Sequence, residues 1–184
     1  PMPPPPGPAA SRWSVNFEGF DDYVQLPALS SIQSISLWLW IDPQQLRNPV
    51  YLVAGKSALT GRKKSRRLLN ELVFFSSVGV GSMWANLFVD GARALIEWDS
   101  LPKERWAHVH LEAAAQFDDE LTLMSDWTNS PVSVTGNLRG LLTEVYVWSR
   151  ELTPYELEGM YQGWNGRAND GSLLAYYNME EGGE

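Results

Sequence analysis

A chain of 184 residues with 44% hydrophobic and 12% aromatic side chains can bury a substantial core, which excludes a largely disordered protein and suits one domain. A formal net charge of -8 weighs against a dedicated nucleic-acid binder, because counterion-release affinity needs a basic face matched to phosphate. The absence of cysteine excludes disulfides, thiolate chemistry and cysteine-zinc sites, and no apolar run reaches the length of a membrane span.

The first segment, residues 1–11, carries the run PMPPPPGP, whose composition favours polyproline II and predicts a stiff linker to other domains of a larger parent chain. A docking peptide for a proline-recognising partner is the alternative reading of such a tract. The segment has neither the basic nor the apolar region of a signal peptide. Residues 12–184 are expected to form the folded domain.

Glu18, Asp21 and Asp22 then crowd one turn. Hard oxygen ligands gathered in a turn suit Ca²⁺, and adjacent carboxylates are costly without a neutralising cation. The plainer alternative is a polar turn in which Asp22 accepts backbone amides. Ile35 to Ile41 alternates as a strand, with Ile35, Leu37, Leu39 and Ile41 on one face and Ser36, Trp38 and Trp40 on the other. Both faces carry apolar residues, so both are expected to be covered.

A strand at Tyr51 to Ala54 precedes the sharpest charge anomaly, Gly61-Arg62-Lys63-Lys64-Ser65-Arg66-Arg67, with Lys56 just upstream. Arg62, Lys63 and Arg66 are candidates for binding sulfate, uronate, phosphate or an acidic protein surface, since arginine offers a bidentate fork and clustered charge concentrates anions. The run also has the composition of a nuclear-localisation patch. A solvated loop tip accounts for it equally well.

Further strands are predicted at Glu71 to Ser77, Trp84 to Val89, Ala94 to Trp98, Ala107 to Ala113 and Glu120 to Ser125. His108 and His110 flank Val109 on one strand face, a spacing open to a transition metal, but no third donor is evident and an internal hydrogen-bonding role is favoured. Asp118-Asp119-Glu120 is read as a solvated hairpin turn. Strands at Leu141 to Trp148 and Leu173 to Met179 enclose the one predicted helix, near residues 153–161. There Thr153 caps, Pro154 occupies the first turn and Glu156 completes a Thr-x-x-Glu capping box. So many short strands imply an all-β sandwich.

Nine tryptophans exceed what a core of this size usually holds. Trp84, Trp98, Trp127 and Trp164 fall at expected strand ends or loops, where an indole plane can stack on the C–H face of a sugar beside polar groups for its hydroxyls. Some of them are equally suited to sealing the sandwich edge.

Five separated segments resemble laminin-G-like domains of the concanavalin-A-like lectin and glucanase superfamily. Phe17-Glu18-Gly19-Phe20-Asp21-Asp22-Tyr23-Val24 is similar to that family's opening motif, and Trp40-Ile41-Asp42-Pro43 to the end of its following strand. Trp106-Ala107-His108-Val109 resembles its central strand. Gly140 to Leu157 resembles its Gly-x-Ile-Asp-Glu-Val signature, with Thr143 where aspartate is usual, and Leu173 to Gly182 is similar to its closing segment.

This resemblance implies a jelly-roll sandwich of two antiparallel sheets and the binding of glycans or proteins at a sheet face or rim. It implies a calcium ion, for which Glu18, Asp21, Asp22 and Glu144 are the candidate ligands, and an extracellular, cell-surface or adhesive setting, although the lack of cysteine leaves the cytosol open. Glucanases of the superfamily carry three alternating acids on one strand. Here Glu97 and Asp99 share a face, but Pro102 intervenes before Glu104, so an enzyme is not expected. The expected function is a non-catalytic recognition module for a glycan, or alternatively for a protein partner, with no membrane insertion.

Overall fold

The computed structural model describes residues 14–18, 22–44, 52–55, 84–96, 100–124, 138–163 and 171–178. They form mostly antiparallel β-sheet with one short helix. The strands are β1 (Val15–Glu18), β2 (Val24–Ile41), β3 (Val53–Gly55), β4 (Trp84–Val89), β5 (Ala92–Ala94), β6 (Trp106–Leu123), β7 (Arg139–Trp148) and β8 (Leu173–Tyr177), with α1 (Pro154–Tyr161) between β7 and β8. The order across the sheet is β1-β7-β2-β6-β4-β5; β3 adds to β6 and β8 to β7.

Two strands of 18 residues, β2 and β6, organise the molecule. The C-terminal half of β2 lies between β6 and β7, whereas its N-terminal half pairs with β6 alone. The register between them slips at Gln25/Ala28, Leu29/Ile32 and Ile32/Ser34. Pro27 explains the first slip, because it has no N–H to give the ladder. Ser31, at φ 62°, marks the others, and its N–H is taken by Asp118 Oδ1 at 2.8 Å. Bulges of this kind bend a strand pair and increase its twist.

Residues Asp118 to Glu120 therefore lie inside β6 and do not form the hairpin turn expected from their charge. Phe117 pairs with Ile32 and Asp119 with Leu29, while Asp119 Oδ1 accepts the Glu120 N–H at 2.8 Å. The acids supply acceptors where the ladder is interrupted. The turn in this part of the chain is instead Asp90-Gly91, with φ of 52° and 78°, joining Val89 to Ala92. Asp-Gly is the preferred pair for a two-residue hairpin, and the strand that follows is Ala92–Ala94, with Leu95 and Ile96 outside it.

Ile35, Leu37, Leu39 and Ile41 are fully buried and pack with Leu87, Val109, Leu111, Val145 and Val147 in the main core. A register shift in β7 between the partners of Leu37 and Leu39 places Thr143 and Glu144 in a bulge. Leu142 and Val145 consequently both reach the main core, three residues apart, where simple alternation would have sent one outward.

Around α1 and Trp38 the opposite face of the sheet is covered as well. Tyr146, Trp148, Leu152, Leu157 and Met160 make a second cluster under α1, and Trp38, Trp106 and Leu141 a third, flanked by Trp40. The helix has the expected residues 154–161 and both halves of the capping box: Thr153 Oγ1 accepts the Glu156 N–H, and Glu156 Oε2 accepts the Thr153 N–H at 2.7 Å. Arg150 clamps the same carboxylate with two bonds of 2.6 and 2.9 Å. No helix among the described residues is long and apolar enough to cross a membrane.

Candidate functional site

The chemistry-bearing side chains gather on the helix-covered face. Ser36 pairs across the sheet with His110, Trp38 with His108 and Ser34 with Glu112, so alternation puts His108, His110 and Glu112 in one row along β6. Ser36 Oγ lies 2.6 Å from His110 Nδ1. Glu112 Oε1 lies 3.5 Å from His110 Nε2, an electrostatic contact longer than an ordinary hydrogen bond. Its other oxygen accepts from Asn86 Nδ2 at 2.9 Å, and Asn86 Oδ1 accepts from Arg93 at 2.6 Å. A polar chain thus runs from the buried Ser36 hydroxyl to a surface guanidinium.

Burial holds His110 below the ordinary histidine range, against the opposing contact and charge of Glu112 and the charge of Glu151. Glu112 is also lowered: burial alone would raise it, but the His110 contact, the bond from Asn86 and the charge of Arg93 outweigh that. Neutral imidazole beside ionised carboxylate satisfies both directions. His108 is depressed as well, to about 3, by burial and then by His110. Neither ring nitrogen of His108 has a hydrogen-bond partner among the described residues, and the ring tilts against Trp38 at 5.4 Å.

Ser36, His110 and Glu112 look like a nucleophile, a base and an orienting acid. With α1 docked, Ser36 and His110 are at 0% exposure, with Met160 Sδ of α1 3.8 Å from the serine oxygen. A substrate atom has no approach to the hydroxyl while α1 is docked. The row ties β2, β4, β5 and β6 together.

A second polar group sits on β7. The Tyr146 hydroxyl donates to Glu144 Oε2 at 3.0 Å, and its ring stacks on Tyr176 at 4.5 Å and Trp148 at 6.2 Å. Burial raises the Tyr146 pKa first, and the charges of Glu144 and Tyr176 add to it.

The structure separates several residues expected to act together. Glu144 is buried beside Tyr146, whereas Glu18 pairs with Arg139 at the other end of β7, about 15–17 Å away along the strand. Glu144 is therefore not brought to the Glu18 turn as a shared calcium ligand. Asp22 Oδ2 accepts the Glu18 N–H at 2.8 Å, which is the local turn role, and Asp21 lies outside the described residues. No group of three or more acidic or histidine side chains among the described residues is placed to hold a metal ion.

Trp84 is 2% exposed and meets Phe117 edge-on at 5.8 Å in the core, so it offers no plane to a sugar. Trp98, Trp127, Trp164, Arg62, Lys63 and Arg66 lie outside the described residues. Sequence reasoning missed Ser36 and Glu112; the alternation His108-x-His110-x-Glu112 was the available signal. It also missed Tyr155, which is 85% exposed on α1, and Leu95, which is 70% exposed.

Comparison of the chain with protein-family models, with curated proteins and with solved structures finds no match in any of the three.

Proposed function

We propose that this chain is a non-catalytic recognition module built as a laminin-G-like jelly roll of two antiparallel sheets, and that its ligand is a glycan. The bent β2–β6 pair carries the architectural part of this reading. Strands that bulge and change partners halfway along are what a chain needs to pass from one sheet of a sandwich to the other. The recognition part rests on the nine tryptophans together with an exposed aromatic ring, Tyr155, held on a capped and clamped helix. A rigidly mounted aromatic plane with polar neighbours suits the apolar face of a sugar.

A glycan array that includes sulfated and uronic sugars, read at two salt concentrations, tests the proposal. Binding lost in Trp98→Ala, Trp127→Ala or Trp164→Ala supports an aromatic sugar site. Binding of sulfated sugars alone, abolished by salt, points to Arg62, Lys63 and Arg66. A thermal-shift titration with Ca²⁺ and EDTA tests a calcium ion at the Glu18–Asp22 turn, because a ligand that binds the folded state raises the melting temperature.

Recognition of a protein partner is the second reading, and one observation favours it. The five described tryptophans, Trp38, Trp40, Trp84, Trp106 and Trp148, are buried or half-buried, while Tyr155 and Leu95 protrude as separate apolar anchors. No glycan on the array shifting or binding the protein would sink the first reading and leave this one.

A further inference from the structure

We propose that α1 is an acid-releasable cover, docked over the buried imidazoles of His108 and His110 and detached from the sheet when they take up protons. The geometry makes α1 the weakest wall around them. Strands β2 and β4 hold β6 on either side through ladder hydrogen bonds, whereas no backbone hydrogen bond joins α1 to any strand among the described residues. Among the described residues the helix is held by side chains: Leu157 and Met160 against Tyr146 and Trp148, Met160 against Ser36, Tyr161 stacked on Trp38 at 6.3 Å, and Glu156 in the Arg150 clamp. An eight-residue helix is unstable away from such packing, so detachment and unwinding are one event.

Protonation needs water, or a carboxylate at each imidazolium, and the closed structure supplies neither fully. His110 has Glu112 at 3.5 Å and the charge of Glu151 nearby. His108 has no ring partner among the described residues, and its imidazolium would repel that of His110. The charged and titratable groups of the surrounding elements do not compensate. Asp90, in the β4–β5 turn, is engaged with the His108 backbone N–H and with Arg105, and Arg93 approaches from β5. On α1, Glu156 is clamped by Arg150 and Glu158 lies over Gly91. On β7, Tyr146 and Glu144 bond each other. Lifting α1 hydrates both rings without breaking one rung of the sheet.

The sign follows from linkage. Below the ordinary histidine pKa of about 6.5 the open state binds protons that the closed state does not, so acid favours opening by about tenfold per pH unit for each histidine that charges. Hydrogen exchange on the full chain, corrected for intrinsic rates, at pH 7 and pH 5 tests this. Residues 154–161 are expected to lose protection by at least tenfold more than residues 106–113, and His108→Leu to remove about half of that effect on a logarithmic scale. In the wild type, the imidazole NMR signals of both histidines should shift with the same midpoint as α1 opening. Equal loss of protection in α1 and β6, unchanged protection of α1 at pH 5, or imidazoles that stay neutral while α1 opens would each overturn the proposal.

Discussion

His108 places an imidazole at 1% exposure with both nitrogens unpartnered among the described residues, and such a group works against the fold whenever it is asked to charge. Its folded pKa of about 3 lies below the unfolded value near 6.5. The sign is then fixed: its contribution is fully present above about pH 6.5 and is lost as pH falls toward 3, at up to about 1.4 kcal/mol per pH unit. His108→Leu replaces an unsatisfied polar ring by an apolar side chain. Relative to wild type it is expected to gain about 2 kcal/mol of stability between pH 7 and pH 5, measured by urea unfolding at the two values. Parallel pH profiles for the two proteins would exclude His108 as the source. Glu156 titrates in the opposite sense. The Arg150 clamp, opposed by partial burial and helped by Thr153, holds it at about 2, so its stabilisation is present above the usual carboxylate range and disappears as pH falls toward 2. Glu156→Gln should cost about 1–2 kcal/mol at pH 7, after allowance for nearby solvent, and close to nothing at pH 2. A deficit that persisted to pH 2 would mean that packing, and not charge, is what the substitution removes.

Strand β7 shows how one position can decide an element. Gly140 pairs with Phe17 on one side and Ile41 on the other, and a Cβ there would collide with the Trp40 carbonyl oxygen, a backbone atom with no freedom to retreat. Gly140→Ala is expected to cost about 1–3 kcal/mol in chemical denaturation, although alanine elsewhere in a strand is mild. Thr153→Ala should cost about 1 kcal/mol through the helix cap. A null effect at Gly140 would mean that β1, β7 and β2 adjust their spacing. The cap was legible in the sequence because its parts stand within four residues, and so was β4, whose alternation runs up to the Asp90-Gly91 turn. The length of β2 and β6 was not. Pro27, Ser31 and Asp118-Asp119 are turn signals when read locally, and only the pairing of two strands at once converts them into bulges within long ribbons. The inward placement of Trp84 was hidden for a related reason, since its packing partner Phe117 comes from a stretch of β6 beside those acids.

At the scale of the molecule, both faces of the sheet are occupied where the C-terminal half of β2 meets β6 and β7, one by the aliphatic core and the other by α1 over the serine–histidine–glutamate row. Among the described residues, a ligand can meet the exposed stretches of β2 and β6, the strand ends or the outer surface of α1, and the sheet face under the helix becomes available only if α1 leaves. On that outer surface Tyr155 combines 85% exposure with a fixed mounting, because the residues on either side of it, Pro154 and Glu156, belong to the cap. A side chain that contributes so little packing is not maintained by stability. Tyr155→Ser is accordingly expected to change the unfolding free energy by no more than about 0.5 kcal/mol. If the outer face of α1 is part of the recognition surface, the same variant should weaken binding of whichever glycan or protein the module captures by about tenfold or more, the effect of losing a central aromatic anchor. Isothermal titration of wild type and variant against the same ligand separates the cases. Unchanged affinity with unchanged stability would move the recognition surface away from α1, to the exposed stretches of β2 and β6, the strand ends or the connections.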